Sequence, residues 1–159
     1  MRKQQKGFSL IELLIVVAII LIIAAIAIPN LMRARMSANE SSAAGSIRTI
    51  NTGEVSYAAA YPSVGFTALA QLGGATPCTP GTATGCFIDN VLAAGAKEGY
   101  SFAATAGTPV NGVNMTYTSL GSPSSLNQTG TRSFCSDQTG VIFYNLNATT
   151  CTSGNSVLQ

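Results

Sequence analysis

Hydrophobic positions along this chain fall into three regimes. From Phe8 to Ile28 they are nearly continuous, and the run carries a single charge, Glu12. From Asn30 to Tyr61 they thin out to Met36, Ala43, Ile47, Ile50, Tyr57 and Tyr61, at steps of three, four and seven. That spacing predicts an amphipathic helix with one face for packing on a sheet. Beyond Pro62 the pattern changes to alternation: Tyr100, Phe102 and Ala104 share one side, and Val113, Met115 and Tyr117 repeat it. Alternation of this kind predicts strands.

Punctuation refines the elements. Pro29 follows the continuous run and is expected to kink a helix that continues through it, since proline lacks the amide donor and crowds the preceding turn. No further proline occurs until Pro62, and Tyr61-Pro62 is expected to end the helix. Gly45 and Gly53 lie inside it, each at a cost of up to ~1 kcal/mol in a helix interior. Arg33, Arg35, Glu40 and Arg48 are expected mostly to face outward. Residues 62–99 read as a connecting loop containing "AQLGGATPCTPGTATGC", and "FIDNVLAAG" reads as one or two helical turns stopped by Gly95. In "RSFCSDQTGVIFYN" a turn at Asp137-Gln138-Thr139-Gly140 separates two strand-like runs, a hairpin signal. Three to four antiparallel strands against the amphipathic half of a long helix make an α+β fold.

Composition narrows the function classes. Only 9% of residues are charged, against roughly 25% in a typical soluble protein, which suits a subunit packed among its copies. The net charge of +2 rests on Arg2, Lys3 and Lys6, without which five basic side chains face six acidic ones. A near-neutral body lacks the clustered Lys and Arg that give non-specific nucleic-acid binding, so no nucleic-acid partner is expected. The chain has no histidine, no C-x-x-C spacing, no phosphate-binding glycine loop and no dinucleotide fingerprint. With no metal, no cofactor and no catalytic constellation indicated, the protein is not expected to be an enzyme. Asn39, Asn114, Asn127 and Asn147 each begin an N-x-[ST] sequon, and these sites are expected to be exposed.

Four cysteines, Cys78, Cys86, Cys135 and Cys151, all lie beyond the apolar run. Their even number there suits disulfides in an oxidising compartment. Three pairings are open; joining Cys78 to Cys86 and Cys135 to Cys151 closes the shortest loops and is the expected one.

The apolar run admits three readings. As a removable secretory signal it is too long, and Glu12 is misplaced, despite a small-x-small site at Ala25-Ile26-Ala27. As a plain transmembrane anchor, its 21 residues span about 32 Å, enough for a hydrocarbon core of about 30 Å. The basic residues before it place the N-terminus in the cytoplasm and the cysteines outside. Neither reading explains Glu12 or the abrupt Lys6-Gly7-Phe8 junction.

The stretch "KGFSLIELLIVVAIILIIAAIAIP" closely resembles the class III signal of type IV pilins and of the related pseudopilins of type II secretion. The run lacks the mid-run glycine of many members; Leu21 or its neighbours stand there instead. The resemblance implies cleavage between Gly7 and Phe8 and N-methylation of the new first residue, Phe8, by one membrane peptidase and methyltransferase. It divides the chain into a leader, residues 1–7; a transmembrane and polymerisation helix, 8–28; an amphipathic continuation, 29–61; and a globular head, 62–159, with disulfide-closed loops. It implies a pilin-like α+β fold and a final loop closed by Cys135 and Cys151.

Cleavage would place an amine at Phe8 and a carboxylate at Glu12 on one apolar helix. In a stack of offset copies Glu12 of one can neutralise the amine of another, and a buried charge is tolerable only when paired. Glu12 is therefore expected to set register in assembly. The implied function is that of a major pilin-like subunit polymerised into a type IV pilus on the bacterial surface. The implied partners are copies of itself, minor pilins, the prepilin peptidase, a membrane platform protein and an assembly ATPase. Before assembly the precursor would be a single-pass inner-membrane protein. One rival is a type II secretion pseudopilin, whose major class often carries a calcium-binding acidic loop near the C-terminus. This chain offers Asp137 alone there, where calcium wants several oxygen ligands. The other rival is a plain membrane-anchored surface protein.

Overall fold

The computed structural model describes residues 8–158. The proposed leader, with Arg2, Lys3, Lys6 and Gly7, lies outside them. The chain divides into two units, residues up to Arg35 and residues from Met36 onward. One helix, α1 (Leu10–Ala60), contributes to both.

In the first unit α1 is apolar and exposed along its length: Phe8 is 80% accessible, and Leu14, Ile19, Ile23 and Ile28 are all open. Among the described residues this is the one helix long and apolar enough to cross a membrane. Pro29 lies inside α1, and its missing amide deprives the carbonyl four residues back of a donor. One residue further on, Asn30 Nδ2 donates to the Ile26 carbonyl at 3.0 Å, adding a side-chain bond where the backbone ladder is weakest.

In the second unit, α1 from Met36 onward packs on a six-stranded antiparallel meander. The strands are β1 (Ala96–Lys97), β2 (Tyr100–Ala106), β3 (Tyr117–Pro123), β4 (Arg132–Asp137), β5 (Ile142–Leu146) and β6 (Ser156–Val157). They pair in sequence order, β1 to β6, and the architecture is α+β, as the patterning predicts. The core joins Ala43, Ile47, Ile50 and Tyr57 of α1 to Tyr100, Phe102, Ala104, Phe134 and Ile142 of the sheet. Alternation in β2 is strict, with Tyr100, Phe102 and Ala104 buried and the residues between them exposed. Gly121 of β3 leaves room for the Phe102 ring, whose Cε1 would stand 2.9 Å from an added Cβ.

Three expectations need correction. The strand placed on Val113, Met115 and Tyr117 begins only at Tyr117; Met115 is 61% exposed. Asn111 and Gly112 both take positive φ and turn Val110 back onto Val113, which uses up the alternation as a hairpin tip. The segment 62–99 holds, besides the expected helical turn in "FIDNVLAAG", which is α3 (Asn90–Ala93), an unexpected single turn of helix, α2 (Leu69–Leu72). In α3 the Asp89 carboxylate caps the Leu92 amide at 2.9 Å, and Gly95 follows at φ +81°. The sheet also has six strands rather than three or four, because β1 and β6 are two-residue edges too short for a pattern to register.

The loop before β1 is held by covalent and polar ties. Cys78 is bonded to Cys86, and the Tyr57 hydroxyl donates to the Thr82 carbonyl at 2.5 Å. Gly53 of α1 permits close approach here: a Cβ would meet Ile88 Cγ2 at 2.9 Å. The second bond, Cys135 to Cys151, ties the C-terminal segment to β4.

Candidate assembly site

Around Glu12 the sequence Ser9-Leu10-Ile11-Glu12 has the S-x-x-E form that starts helices. Ser9 precedes the first helical residue, and its amide donates to Glu12 Oε2 at 2.9 Å. Glu12 thus satisfies one of the open amides at the N-terminus of α1 and sits where the helix dipole favours an anion. The carboxylate has a second oxygen and a full charge left over, on a helix surrounded by exposed Leu, Ile and Val. Phe8, also exposed, lies just ahead of the first turn. Phe8 and Glu12 are therefore at one end of the same apolar helix.

A second polar site, in the head, escapes the sequence reading. Glu40 is buried, not outward-facing as expected. Its Oε1 accepts from the Thr131 amide and hydroxyl, both at 2.7 Å; its Oε2 accepts from Arg132 Nε at 2.8 Å and lies 2.8 Å from Nη2 in an ion pair. Burial alone would raise the Glu40 carboxyl, but the two Thr131 bonds and the Arg132 guanidinium hold it below the ordinary carboxylate range. Arg132 in turn stacks over Phe134 and Tyr144, and its carbonyl accepts from the Tyr100 hydroxyl. Removal from water is acceptable because every atom of the carboxylate is bonded.

Glu54 is the contrasting case. It is fully buried; Oε2 accepts from the Thr67 amide at 3.0 Å, and Oε1 has no partner. Burial pushes its carboxyl up to about 7, only partly offset by the Thr67 amide. The Tyr117 hydroxyl nearby is raised to about 12, by burial first and then by the Glu54 and Asp137 carboxylates. It donates to Asn51 Oδ1 at 3.1 Å, while Asn51 Nδ2 reaches Ser136 at 2.8 Å.

A signal for both glutamates was present in the spacing. The hydrophobic stripe jumps a full seven positions from Met36 to Ala43, and again from Ile50 to Tyr57. Glu40 and Glu54 fill those gaps, so the inward face runs 36, 40, 43, 47, 50, 54, 57 and 61 in regular steps of four and three. Of the four sequons, Asn127 and Asn147 are exposed as expected, but Asn39 and Asn114 are half-buried. Their side-chain amides donate to the Thr129 and Phe66 carbonyls, both at 2.9 Å. Among the described residues no cluster of three or more His, Cys, Asp or Glu is placed to hold a metal.

Comparison with known proteins addresses the N-terminal helix. Residues 2–28 match the family model of the prokaryotic N-terminal methylation motif. Over 38 residues, 24% of this chain and 29% of the relative, the sequence is 63% identical to the type IV wide pilus major component PilA4 of Thermus thermophilus. Over 54 residues, 34% of this chain and 24% of the relative, it is 44% identical to the type IV major pilin protein PilA of Myxococcus xanthus.

The N-terminal segment carries the prokaryotic N-terminal methylation motif and is similar to the corresponding segments of two type IV pilins.

The chain covers less than a third of the length of either relative, so the pilin likeness is a property of the N-terminal helix. No solved structure matches the chain. The rest of the chain therefore stands on its own geometry: an apolar N-terminal helix continuing in sequence into an α+β head with two disulfides.

Proposed function

We propose that this protein is a structural subunit of a type IV pilus, made as a membrane-anchored precursor and polymerised through its N-terminal helix. The observation that carries this reading is the methylation motif over residues 2–28, at the start of a helix whose large apolar side chains from Leu10 to Ile28 are exposed. Lipid would cover that surface before assembly and neighbouring helices afterwards. The precursor would span the inner membrane with its N-terminus in the cytoplasm. A prepilin peptidase cuts between Gly7 and Phe8 and methylates the Phe8 amine. Glu12 then meets the amine of a neighbouring copy in the fibre. A platform protein, an assembly ATPase and minor pilins complete the machinery. The division at residues 7, 28 and 61 follows from the same reading: leader, polymerisation helix, amphipathic continuation with Pro29 as the kink point, and head. The names of the two relatives, a pilus component and a major pilin, favour a pilus over a type II secretion pseudopilus.

N-terminal sequencing and mass measurement of sheared surface filaments test this directly. A methylated Phe8 start is expected; an intact Met1 would leave a plain membrane anchor as the better description.

A further inference from the structure

Within the head, from Met36 onward, almost every charge is committed. Glu40 is paired with Arg132, and Asp89 caps α3 and stands 3.7 Å from Lys97. Glu54 is buried on the Thr67 amide, and Asp137 closes a turn on the amide and hydroxyl of Thr139. Among the described residues of the head, one carboxylate and one cation are left with no ion pair and no side-chain hydrogen bond: Glu98 and Arg48. Both are exposed.

Glu98 is unusual in its backbone. It and Gly99 form the two-residue turn between β1 and β2, with φ of +48° and +76°. That turn favours Asn, Asp or Gly at its first central position, and the left-handed region is sterically disfavoured for a glutamate. The turn presents a carboxylate at a hairpin tip where its own fold gains nothing from one.

Arg48 stands at a groove of about 490 Å³ between α1 and the β4–β5 turn, walled also by Thr52, Val141 and Leu158. Among the described residues no carboxylate lines it. The adjoining, smaller groove does contain one, Glu40, but Arg132 already neutralises it. The first groove therefore offers a cation between mixed walls, Asn51 and Thr52 on the helix side and Val141, Ile142 and Leu158 opposite, and its occupant needs an anion on a narrow protrusion.

We propose that the Glu98 hairpin tip of one copy docks in the Arg48 groove of the next copy. This rests on the polymerisation reading above and adds a head-to-head contact to it. The sheet order places the two features on opposite flanks, Glu98 at the β1 edge and the groove toward β5 and Leu158 at the β6 edge. They are different patches, so the contact is heterologous, and heterologous contacts that do not close give open helical polymers.

The test is a charge swap in the full chain, read as the yield of sheared filaments. Glu98→Arg and Arg48→Glu should each lower yield by about tenfold or more, because like charges then face each other across the contact. The double variant should return to within about twofold of the unaltered chain, since the pair is restored with its polarity reversed. Glu98→Gly separates contact from turn strain: the head should resist urea at least as well, yet filament yield should fall. Because all four cysteines are bonded, a chain carrying both Ala96→Cys and Thr52→Cys, which leaves Glu98 and Arg48 in place, can be probed with a short bis-maleimide. Filaments should give a covalent ladder that neither single cysteine variant gives. Normal yield from both reversals, a double variant no better than the singles, or no ladder would overturn the contact. If the unaltered chain forms methyl-Phe8 filaments in those cases, the pilin reading stands and only the contact falls. Absence of filaments from the unaltered chain would overturn both.

Discussion

Glu40 of α1 and Arg132 of β4 lie 92 positions apart and meet through two 2.8 Å contacts at one carboxylate oxygen. The other oxygen takes both donors of Thr131. Three hydrogen bonds and an ion pair thus fasten the helix to the middle of the sheet, with Phe134 and Tyr144 beneath the guanidinium.

The two halves of this pair are not equally exposed, at 7% for Glu40 and 36% for Arg132. Removing Arg132 strands a buried carboxylate, whereas removing Glu40 leaves a cation that can turn to water. Arg132→Met should therefore cost on the order of 3 kcal/mol, and Glu40→Gln, which keeps an acceptor for Thr131, about 1–2 kcal/mol. Urea unfolding of the detergent-solubilised chain measures both, and equal losses would contradict the asymmetry.

Glu54 predicts a pH dependence of opposite sign to that of Glu40. Its folded-state carboxyl lies at about 7 against an ordinary 4.5. The folded head therefore holds a proton that the unfolded chain releases. Its contribution is fully present below about pH 4.5 and is lost as pH rises through about 7, a loss of about 3 kcal/mol. Glu40, held low, acts the other way: its contribution is present above the ordinary carboxylate range and lost on acidification. Glu54→Gln should flatten the decline toward alkaline pH and raise the urea midpoint at about pH 8. A variant that keeps the full alkaline decline would place its origin elsewhere.

These two glutamates also mark the boundary of what the sequence discloses. The apolar run, the amphipathic stripe, β2 and the β4–β5 hairpin are legible because each repeats a period over several residues. The Ser9-to-Glu12 cap is legible in principle from its S-x-x-E spacing, although lipid-facing neighbours draw attention to the charge instead. Glu40 and Glu54 break the apolar stripe, and residue type argues for solvent at positions where spacing argues for the core. Spacing wins at Glu40 because Thr131 and Arg132 arrive from 91 and 92 residues away, a circumstance no local window contains. The edge strands β1 and β6 are invisible for a simpler reason, since two residues have no period.

The disulfides should differ modestly in weight. In the chain-entropy picture a loop of about 15 residues contributes about 3 kcal/mol, and the shorter Cys78–Cys86 loop somewhat less, by about half a kcal/mol. The longer loop has a structural role besides. Cys135 is buried in β4, and Cys151 precedes β6, whose one sheet partner among the described residues is β5. Replacing both Cys135 and Cys151 by Ala should free the segment from Asn147 onward, and limited proteolysis should cut there first. Replacing Cys78 and Cys86 should instead expose 74–86 to cleavage. Identical digestion patterns from the two variants would show that neither bond localises stability.

Glu12 has two roles that one substitution cannot separate. In a single chain its Oε2 accepts the Ser9 amide at 2.9 Å and so starts α1. In the proposed fibre its negative charge neutralises the amine at Phe8 of a neighbour. Glu12→Ala removes both. Glu12→Gln keeps an acceptor oxygen for Ser9 but removes the charge. If the cap dominates, Gln should assemble like the unaltered chain and Ala should not, a difference of about 1 kcal/mol at the helix start. If the charge dominates, both variants should insert in the membrane and be processed to Phe8, yet form no filaments, because an ammonium left unpaired in an apolar bundle costs several kcal/mol. We expect the second pattern, read from membrane fractionation, mass of the processed chain and sheared-filament yield. Normal fibres from Glu12→Gln would reduce Glu12 to a helix cap and remove charge pairing from the account of assembly.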